Sequence, residues 1–355
     1  MLITETSVNT IIQKLSKEAI NLLLVAEHTA LDVGELIERC NEEGITIGGG
    51  IFPMIINDVD HMEKGIILKK ISADHKAHLV KDMATAIPDD LPDLSAEVNS
   101  SVVILDGLSS DIPKMLNMLY EKYWSNISYM GGGAGSLSLE QNPCVFTNEG
   151  FFENACLLIF SAKRTQQGVK HGWKKISGPF IANKTQGNKV IELNWKPAFK
   201  VYKDVVEHYT DKNFSSSDFF DISKGFPFGI YRDGQEDIVR DPISVDESGA
   251  LVCVGEVGTN TSLNILKGDL GDLIDSAKEA SLLAKRDNIG DLLICDCISR
   301  VLYLGDDFSK ELESVKKVVD ASVEDLEGML SLGEISSVNG YLEFYNKSIV
   351  VSSFY

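Results

Sequence analysis

The sequence is short of positive charge and lacks any long apolar run. It has 33 lysines and arginines against 53 aspartates and glutamates, which gives a formal net charge of −20. Nucleic acids and anionic membranes are bound by clustered basic side chains, so this charge balance argues against both kinds of partner. No apolar segment approaches the roughly 18 residues that a transmembrane helix needs, so none is predicted.

Cysteine is also scarce, and its placement does not indicate a disulfide or metal framework. The six cysteines lie mostly inside apolar runs, which is typical of reduced, buried thiols. Cys295 and Cys297 lack a second Cys or His pair at ligand spacing, so no metal site is predicted. The N-terminus has neither a basic region nor a long apolar run, so no secretory signal is predicted. We therefore expect a cytoplasmic protein.

Sequence signatures of catalysis are missing. The glycine-rich segment 131–135 is followed by Ser-Leu-Ser, whereas a P-loop requires Lys followed by Ser or Thr. The helix and the acidic residue of a dinucleotide-binding fingerprint do not follow it either. No Gly-x-Ser-x-Gly nucleophile elbow occurs. An enzyme is therefore not predicted, and an enzyme of unknown reaction remains as an alternative.

Three segments share one order of features: strand, helix, glycine-rich stretch, hairpin and strand. They begin near Asn21, Ser101 and Leu292, and we expect each glycine-rich stretch to follow a strand that pairs beside the first strand of its unit. This order predicts a β-α-β-β-β unit used three times. The helices have one apolar stripe each, so we expect them to lie on sheets. The predicted fold is mixed α+β, with two domains of twisted mixed sheets flanked by helices.

A series of short motifs over residues 20–352 resembles one known family, the FIST proteins, named for F-box and intracellular signal transduction. None of the motifs is specific alone, but their shared order is. The resemblance implies an N-terminal FIST domain at 1–195 and a C-terminal FIST domain at 196–355. The motifs are Gly131-Gly-Gly-Ala-Gly135, His171-Gly172-Trp173, the turn 185–188 before Pro197-Ala198, Pro227, Val239-Arg240, Cys295–Arg300, Gly333-Glu334 and Glu343–Asn346.

The resemblance implies a sensory protein of intracellular signal transduction. Family members often share a polypeptide with kinase, cyclase or chemotaxis output domains. The sequence shows no output domain, so we expect signalling through a partner such as a histidine kinase, a diguanylate cyclase or a chemotaxis protein. Amino acids are among the ligands proposed for the family, and some members bind haem and sense nitric oxide. We predict no bound cofactor, and a haem-based nitric oxide sensor is the alternative.

Two of these motifs each have a structural and a functional interpretation. The glycines could allow close backbone packing, or their bare amides could line a ligand site. The triplet around His171 could be a turn in which Trp173 packs between domains, or His171 could contact a ligand or a haem. The structural interpretation is favoured for both motifs. The candidate ligand-binding residues in them are Gly131, Gly132, Gly133, Gly135, His171 and Trp173.

Two arginines complete the predicted site, which we place between the two domains. Arg240 and Arg300 each follow an apolar run that is predicted as a strand. Such an arginine can hold a carboxylate through two parallel hydrogen bonds, which suits an amino acid or another small anion. The alternative is a structural ion pair with an acidic residue such as Glu334, which is itself counted among the candidate ligand-binding residues. The sequence does not decide between the two interpretations.

Overall fold

The computed structural model describes residues 1–71, 77–215, 217–233, 236–286, 290–319 and 326–355. The chain opens with an edge strand and a short helix, β1 (Leu2–Ile3) and α1 (Val8–Lys14). The first unit then follows. It consists of β2 (Ile20–Ala26), α2 (Val33–Glu43), β3 (Ile47–Phe52), the hairpin β4 (Met54–Asn57) and β5 (Asp60–Met62), and β6 (Ile66–Ile71).

The second unit repeats this order between two further edge strands. Its helix begins with Pro113 in the first turn, where the missing N–H costs nothing. The elements are β7 (His78–Val80), β8 (Ser100–Asp106), α3 (Ile112–Tyr123), β9 (Ser128–Ala134), β10 (Val145–Thr147), β11 (Gly150–Phe152), β12 (Cys156–Ser161) and β13 (Thr165–Lys170).

An eight-stranded antiparallel sheet comes next in the chain. Its apolar face packs on α4 and α5 around Tyr202 and Phe228. The elements of this segment are β14 (Lys174–Ala182), β15 (Lys184–Gln186), β16 (Lys189–Leu193), β17 (Lys196–Pro197), α4 (Ala198–Val206), α5 (Phe219–Ser223), β18 (Phe228–Ile230), β19 (Ile238–Val245), β20 (Leu251–Val254), β21 (Thr261–Lys267) and α6 (Leu270–Ala284).

The third unit closes the chain. Its elements are β22 (Asp291–Cys297), α7 (Ile298–Leu304), α8 (Phe308–Val319), β23 (Glu327–Ser331), β24 (Glu334–Ser336), β25 (Glu343–Tyr345) and β26 (Ile349–Phe354).

The three units build their sheets in the same way, which confirms the predicted repeat. In each unit the first strand lies parallel to the second strand and antiparallel to the last. An edge strand from outside the unit, β1, β7 or β13, then pairs with that last strand. The strand order is therefore the same in all three six-stranded sheets.

The hairpin of each unit does not pair with its own sheet. Strand β4 pairs with β23 of the third unit, β24 pairs with β9 of the second, and β10 pairs with β3 of the first. Each unit thus contributes its two hairpin strands to the sheet of another unit: the first unit to the third, the third to the second, and the second to the first. Because every sheet is completed by another unit, the three sheets form one body.

The inner faces of the three sheets meet in a common core that includes Leu24, Ile104, Cys295 and Met329. Each outer face is covered by helices: α1 and α2 on the first sheet, α3 on the second, and α6 and α8 on the third. The fold is therefore mixed α and β, as the sequence predicts.

One glycine in each unit lies against the carbonyl of the neighbouring first strand. A Cβ atom on Gly49, Gly131 or Gly328 would lie 2.1, 1.8 or 2.1 Å from the carbonyl oxygen of Leu23, Val103 or Ile294. These distances leave no room for a side chain. Gly333 follows β23 as expected, but the glycine-rich stretches 48–50 and 131–133 lie within β3 and β9 and do not follow them. The position equivalent to Gly49 and Gly131 is Gly328.

The predicted domain boundary at 195/196 lies within the eight-stranded sheet. Strand β17, which includes Lys196, pairs with β16, which ends at Leu193. Residues before the boundary also form β14, which pairs with β21 beyond it. The two segments therefore share one sheet, and the chain folds as a three-sheet body that carries this fourth sheet.

Candidate functional site

A cleft of about 560 Å³ lies where the three-sheet body meets the eight-stranded sheet. One wall comes from β13 and the residues that follow it, and the other from the segment leading into β19. Residues 337 and 338, Tyr345 and Ser348 of the third unit form the floor. The polar and charged side chains that line the cleft include Gln167, Lys170, His171, Arg232, Glu236 and Asp237.

His171 is the predicted site residue that the structure places in this cleft. Its side chain is only 8% exposed, and its Nδ1 accepts a hydrogen bond of 2.9 Å from the backbone N–H of Trp173. A neutral imidazole in this arrangement carries its proton on Nε2. Among the described residues Nε2 makes no hydrogen bond of normal length and angle. It faces Oε1 of Glu236, 3.8 Å away, and the backbone of Asp237. A polar ligand could therefore accept its hydrogen bond.

His171 remains uncharged at neutral pH. Burial, and then the positive charge of Arg300, lower the pKa of His171 to about 4. Its role in the cleft is that of a fixed hydrogen-bond donor and not of a charge.

Charged groups of both signs surround His171. Lys170 Nζ lies 3.2 Å from Oε2 of Glu236 and 3.6 Å from Oε2 of Glu279. Arg232 is paired with Glu343, which stands just outside the cleft. Because acids and bases face the same space, the cleft suits a ligand that carries both charges.

Arg300 does not lie at a strand end, as its sequence context suggests, but in helix α7, and its side chain is fully buried. Its Nε and one terminal nitrogen donate to both carboxylate oxygens of Glu311, at 2.9 and 2.7 Å. The other terminal nitrogen donates to the carbonyl of His171 at 2.6 Å. The remaining donors engage groups within the protein, namely the carbonyls of Leu273 and Lys347 and the hydroxyl of Ser276.

All five N–H groups of Arg300 thus have protein partners, which leaves none for a ligand. The structure places Arg300 in a structural ion pair, and its acidic partner is Glu311 and not Glu334.

Arg240 lies in β19 and does not line the cleft. Its Nε donates to the carbonyl of Glu256 at 2.9 Å, and one terminal nitrogen donates to the carbonyls of Val239 and Phe344. Burial lowers the pKa of Arg240. The side chain binds backbone between β19 and the third unit, so the structure does not bring Arg240 and Arg300 together in one site.

The glycine-rich stretch is the second strand of its unit, not a ligand-binding turn. Gly131 and Gly132 pair with Ile335 and Glu334 of β24. The Gly133 N–H donates to the carbonyl of Gly333 at 2.8 Å, and the Gly135 N–H donates to the carbonyl of Ile51. The stretch serves close backbone packing among all three units, which is the structural interpretation of the motif.

Trp173 and Glu334 are buried away from the cleft. The ring of Trp173 packs on Tyr303 at 4.9 Å between centroids, and its Nε1 donates to the carbonyl of Lys347. Glu334 accepts hydrogen bonds from the hydroxyl of Ser331 and the N–H of Ser348. Both residues hold neighbouring segments together, and Trp173 also fixes the tautomer of His171.

Burial raises the pKa of Glu334 from 4.5 to about 8, which makes the stability of the fold depend on pH. Between those values the folded protein holds a proton that the unfolded chain releases, so stability falls as the pH rises. The slope contributed by one proton is at most about 1.4 kcal/mol per pH unit. Urea unfolding of the Glu334→Gln variant from pH 5 to 8.5 should lack this slope, because glutamine stays neutral.

The exposed Glu247 provides a matched control for this experiment. The Glu247→Gln variant should keep the pH profile of the wild type. Parallel profiles for Glu334→Gln and the wild type would show that Glu334 is ionised in the fold.

Haem does not fit the cleft as it is built. Coordination through Nε2 of His171 would require the ring proton to sit on Nδ1, which already accepts the Trp173 N–H. The walls also carry the acidic groups of Glu236 and Asp237, where a haem needs apolar surface. We therefore assign no step to a haem group.

Sequence reasoning missed most of the cleft. Arg232, Glu236 and Asp237 lie just before β19 in a polar segment that reads as an ordinary turn. One further residue of the cleft could have been identified from the sequence. This is Lys170, which directly precedes His171 at the end of β13. The opposite wall could not be found from local sequence because 60 residues separate it from His171 along the chain.

The fold is a three-sheet body with an added sheet, and the cleft lies between them. Comparison with protein families gives two adjoining matches, to the FIST N domain over residues 21–196 and to the FIST C domain over 198–337. The chain belongs to the FIST family, whose domains are sensory domains of signalling proteins. A search of the curated proteins finds no match. Among the described residues, no helix is long and apolar enough to cross a membrane.

Proposed function

We propose that this chain is a non-enzymatic sensor that binds a small zwitterion, such as an amino acid, in the cleft around His171. The observation that carries the proposal is the buried Nε2–H group of His171, which makes no hydrogen bond of normal length and angle in the described part of the chain. A buried donor without a partner is costly, and a ligand that accepts its hydrogen bond removes that cost.

The surrounding charges favour a ligand with one group of each sign. A carboxylate placed beside His171 and Lys170 accepts a hydrogen bond from the first and is attracted by the second. An ammonium group on the same small molecule then faces Glu236 and Asp237. The acids outweigh the bases near the cleft, so an anion without an ammonium group fits less well.

Glu236→Gln should weaken binding of such a ligand by about ten- to a hundredfold. A charge-assisted hydrogen bond contributes roughly 1.5 to 3 kcal/mol, which corresponds to one to two decades in Kd. The side chain of Glu236 is 38% exposed, so the substitution should leave the fold intact. The measurement is calorimetric titration with the amino acid that most raises the melting temperature in a screen of the standard set.

Two further variants sharpen this experiment. Lys170→Met should weaken the same amino acid through loss of the positive charge, whereas Glu247→Gln, which lies outside the cleft, should bind like the wild type. The proposal fails if no amino acid binds, or if Glu236→Gln and Lys170→Met both keep the affinity of the wild type.

We also propose that the ligand-bound protein signals through a separate partner, such as a histidine kinase, a diguanylate cyclase or a chemotaxis protein. The support is the membership of a sensory family together with the bond from Arg300 to the carbonyl of His171. That bond links the cleft to α6 and α8, whose backbone or side chains Arg300 also holds. The autophosphorylation rate of a candidate kinase, measured with this protein and with or without the amino acid, tests it. If neither this protein nor the amino acid changes the autophosphorylation rate of the kinase, that kinase is not the partner.

A further inference from the structure

A second, smaller cavity of about 190 Å³ lies beside the cleft. Ser128 and Ser337 line both spaces, so the two are adjacent. The smaller cavity is bounded by the end of α3 and by residues 340 and 342 of the third unit. Its volume is enough for one six-membered aromatic ring.

Two aromatic side chains stand at this cavity in an exposed stack. The rings of Tyr120 and Trp124 lie 5.2 Å apart between centroids, with an angle of 26° between their planes. Trp124 is 61% exposed, although indole is among the side chains that gain most from burial. A partly solvated aromatic stack beside a cavity is a surface on which another flat group can pack.

The backbone conformation of Trp124 is strained. Its φ of 54° and ψ of −147° lie in a region that residues with a side chain rarely adopt. Its N–H donates to the carbonyl of Tyr120, which ends α3 and keeps the two rings together. Strained residues of this kind are found most often at functional sites, and here the strain fixes the indole at the mouth of the cavity.

We propose that Tyr120 and Trp124 form an aromatic subsite, and that the ligand is a short peptide with an aromatic side chain. This inference rests on the proposed function, because the charged ends of the peptide would occupy the cleft around His171. The aromatic ring lies in the smaller cavity against Trp124, and the side chain that carries it passes beside Ser128 and Ser337, which line both spaces.

The test uses the protein labelled with 5-fluorotryptophan, because its three tryptophans report on three different places. Trp124 reports on the subsite. Trp173 reports on the cleft as the neighbour of His171, because its backbone N–H donates to Nδ1 of His171, and the exposed Trp195 reports on neither. The probes are Gly-Phe and Gly-Gly-Phe, with Gly-Ala and Gly-Gly-Ala as their matched controls. We expect the aromatic peptides to shift the fluorine signals of Trp124 and Trp173, and the alanine peptides to shift only that of Trp173.

Affinities give a second, independent readout. Stacking should make the better aromatic peptide bind about tenfold more tightly than its alanine counterpart. That advantage should disappear in Trp124→Ala and persist in Trp195→Ala. If the alanine peptides move the Trp173 signal but the aromatic peptides bind no better and leave Trp124 unmoved, the subsite is refuted while the cleft stands. If no peptide moves either signal, this inference is refuted, and the titration with amino acids decides separately whether the proposed function stands.

Discussion

Replacing Arg300 with methionine should lower the free energy of unfolding by about 3 to 5 kcal/mol, the range for breaking a buried ion pair from one side. The side chains of Arg300, Glu311 and Asp296 are fully buried, so water cannot replace the lost partner. Arg300 is also the donor to the carbonyls of His171, Leu273 and Lys347. In the variant, these three carbonyl oxygens would stay buried and would lack the hydrogen bond that Arg300 donates.

Asp296 lies in the same cluster. Burial, and then the nearby Glu311, raise the pKa of Asp296 well above its usual range. Glu311 is the carboxylate that Arg300 engages with two hydrogen bonds. For this reason the double variant Arg300→Met/Glu311→Leu should recover much of the lost stability, because two apolar side chains replace both charges.

Urea unfolding of the single and double variants measures these effects, with Arg39→Met as the control. Arg39 pairs with Glu42 and Glu43 on the surface of α2, where the expected change is below about 1 kcal/mol. If Arg300→Met is as stable as Arg39→Met but binds ligand less well, Arg300 is a ligand clamp and the structural account of it is wrong.

Gly131→Ala should destabilise the fold by about 3 kcal/mol or more, and Gly49→Ala and Gly328→Ala should behave alike. The added methyl group would overlap the carbonyl oxygen of Val103, Leu23 or Ile294, and backbone atoms cannot move aside without breaking strand pairing. The three sites are equivalent in the repeat, so their effects should agree more closely than those of unrelated glycines.

Thermal melting of the three variants checks this result against Gly271→Ala. Gly271 lies in the first turn of α6, where a Cβ meets only an oxygen of Asp269 at 3.6 Å. That substitution should be neutral or slightly stabilising, since alanine favours a helix. Melting temperatures of the three strand variants close to that of Gly271→Ala would contradict the equivalence of the units.

The repeat could be predicted from the sequence because its signals are local. The apolar strands, the striped helices and the glycine stretches lie in one order in all three units. The glycine of the third unit was harder to identify, because Gly328 stands alone in sequence while Gly333 lies in a turn. Only the distance to Ile294 shows that Gly328 is the equivalent residue.

The pairing of each hairpin with the sheet of another unit could not be predicted from the sequence. A hairpin such as β4 and β5 carries its own turn signal, but nothing local specifies that its partner is β23, some 270 residues further on. The choice is made when three sheets pack around one core, where each hairpin reaches the sheet of its neighbour. This long-range pairing also explains why the glycines of β9 are enclosed and cannot serve a ligand.

The sequence predicted His171, Arg300 and Arg240 as residues of one site, and it could not show that only His171 lines the cleft. A strand-end arginine and a buried helical arginine look alike until their partners are known, and the partner of Arg300 comes from α8. The acids of the opposite wall were hidden for the same reason, since Glu236 meets Lys170 only in the folded chain.

The central claim is that His171 offers its Nε2–H group to a ligand, and nitrogen-15 NMR of the histidine rings tests it most directly. The protein has six histidines, and the His171→Gln variant identifies the signal of His171. We predict that the free protein shows His171 as the neutral tautomer with its proton on Nε2 between pH 6 and 8, and that addition of the bound amino acid shifts this Nε2 signal. A bound amino acid that leaves the His171 signal unchanged would contradict the account.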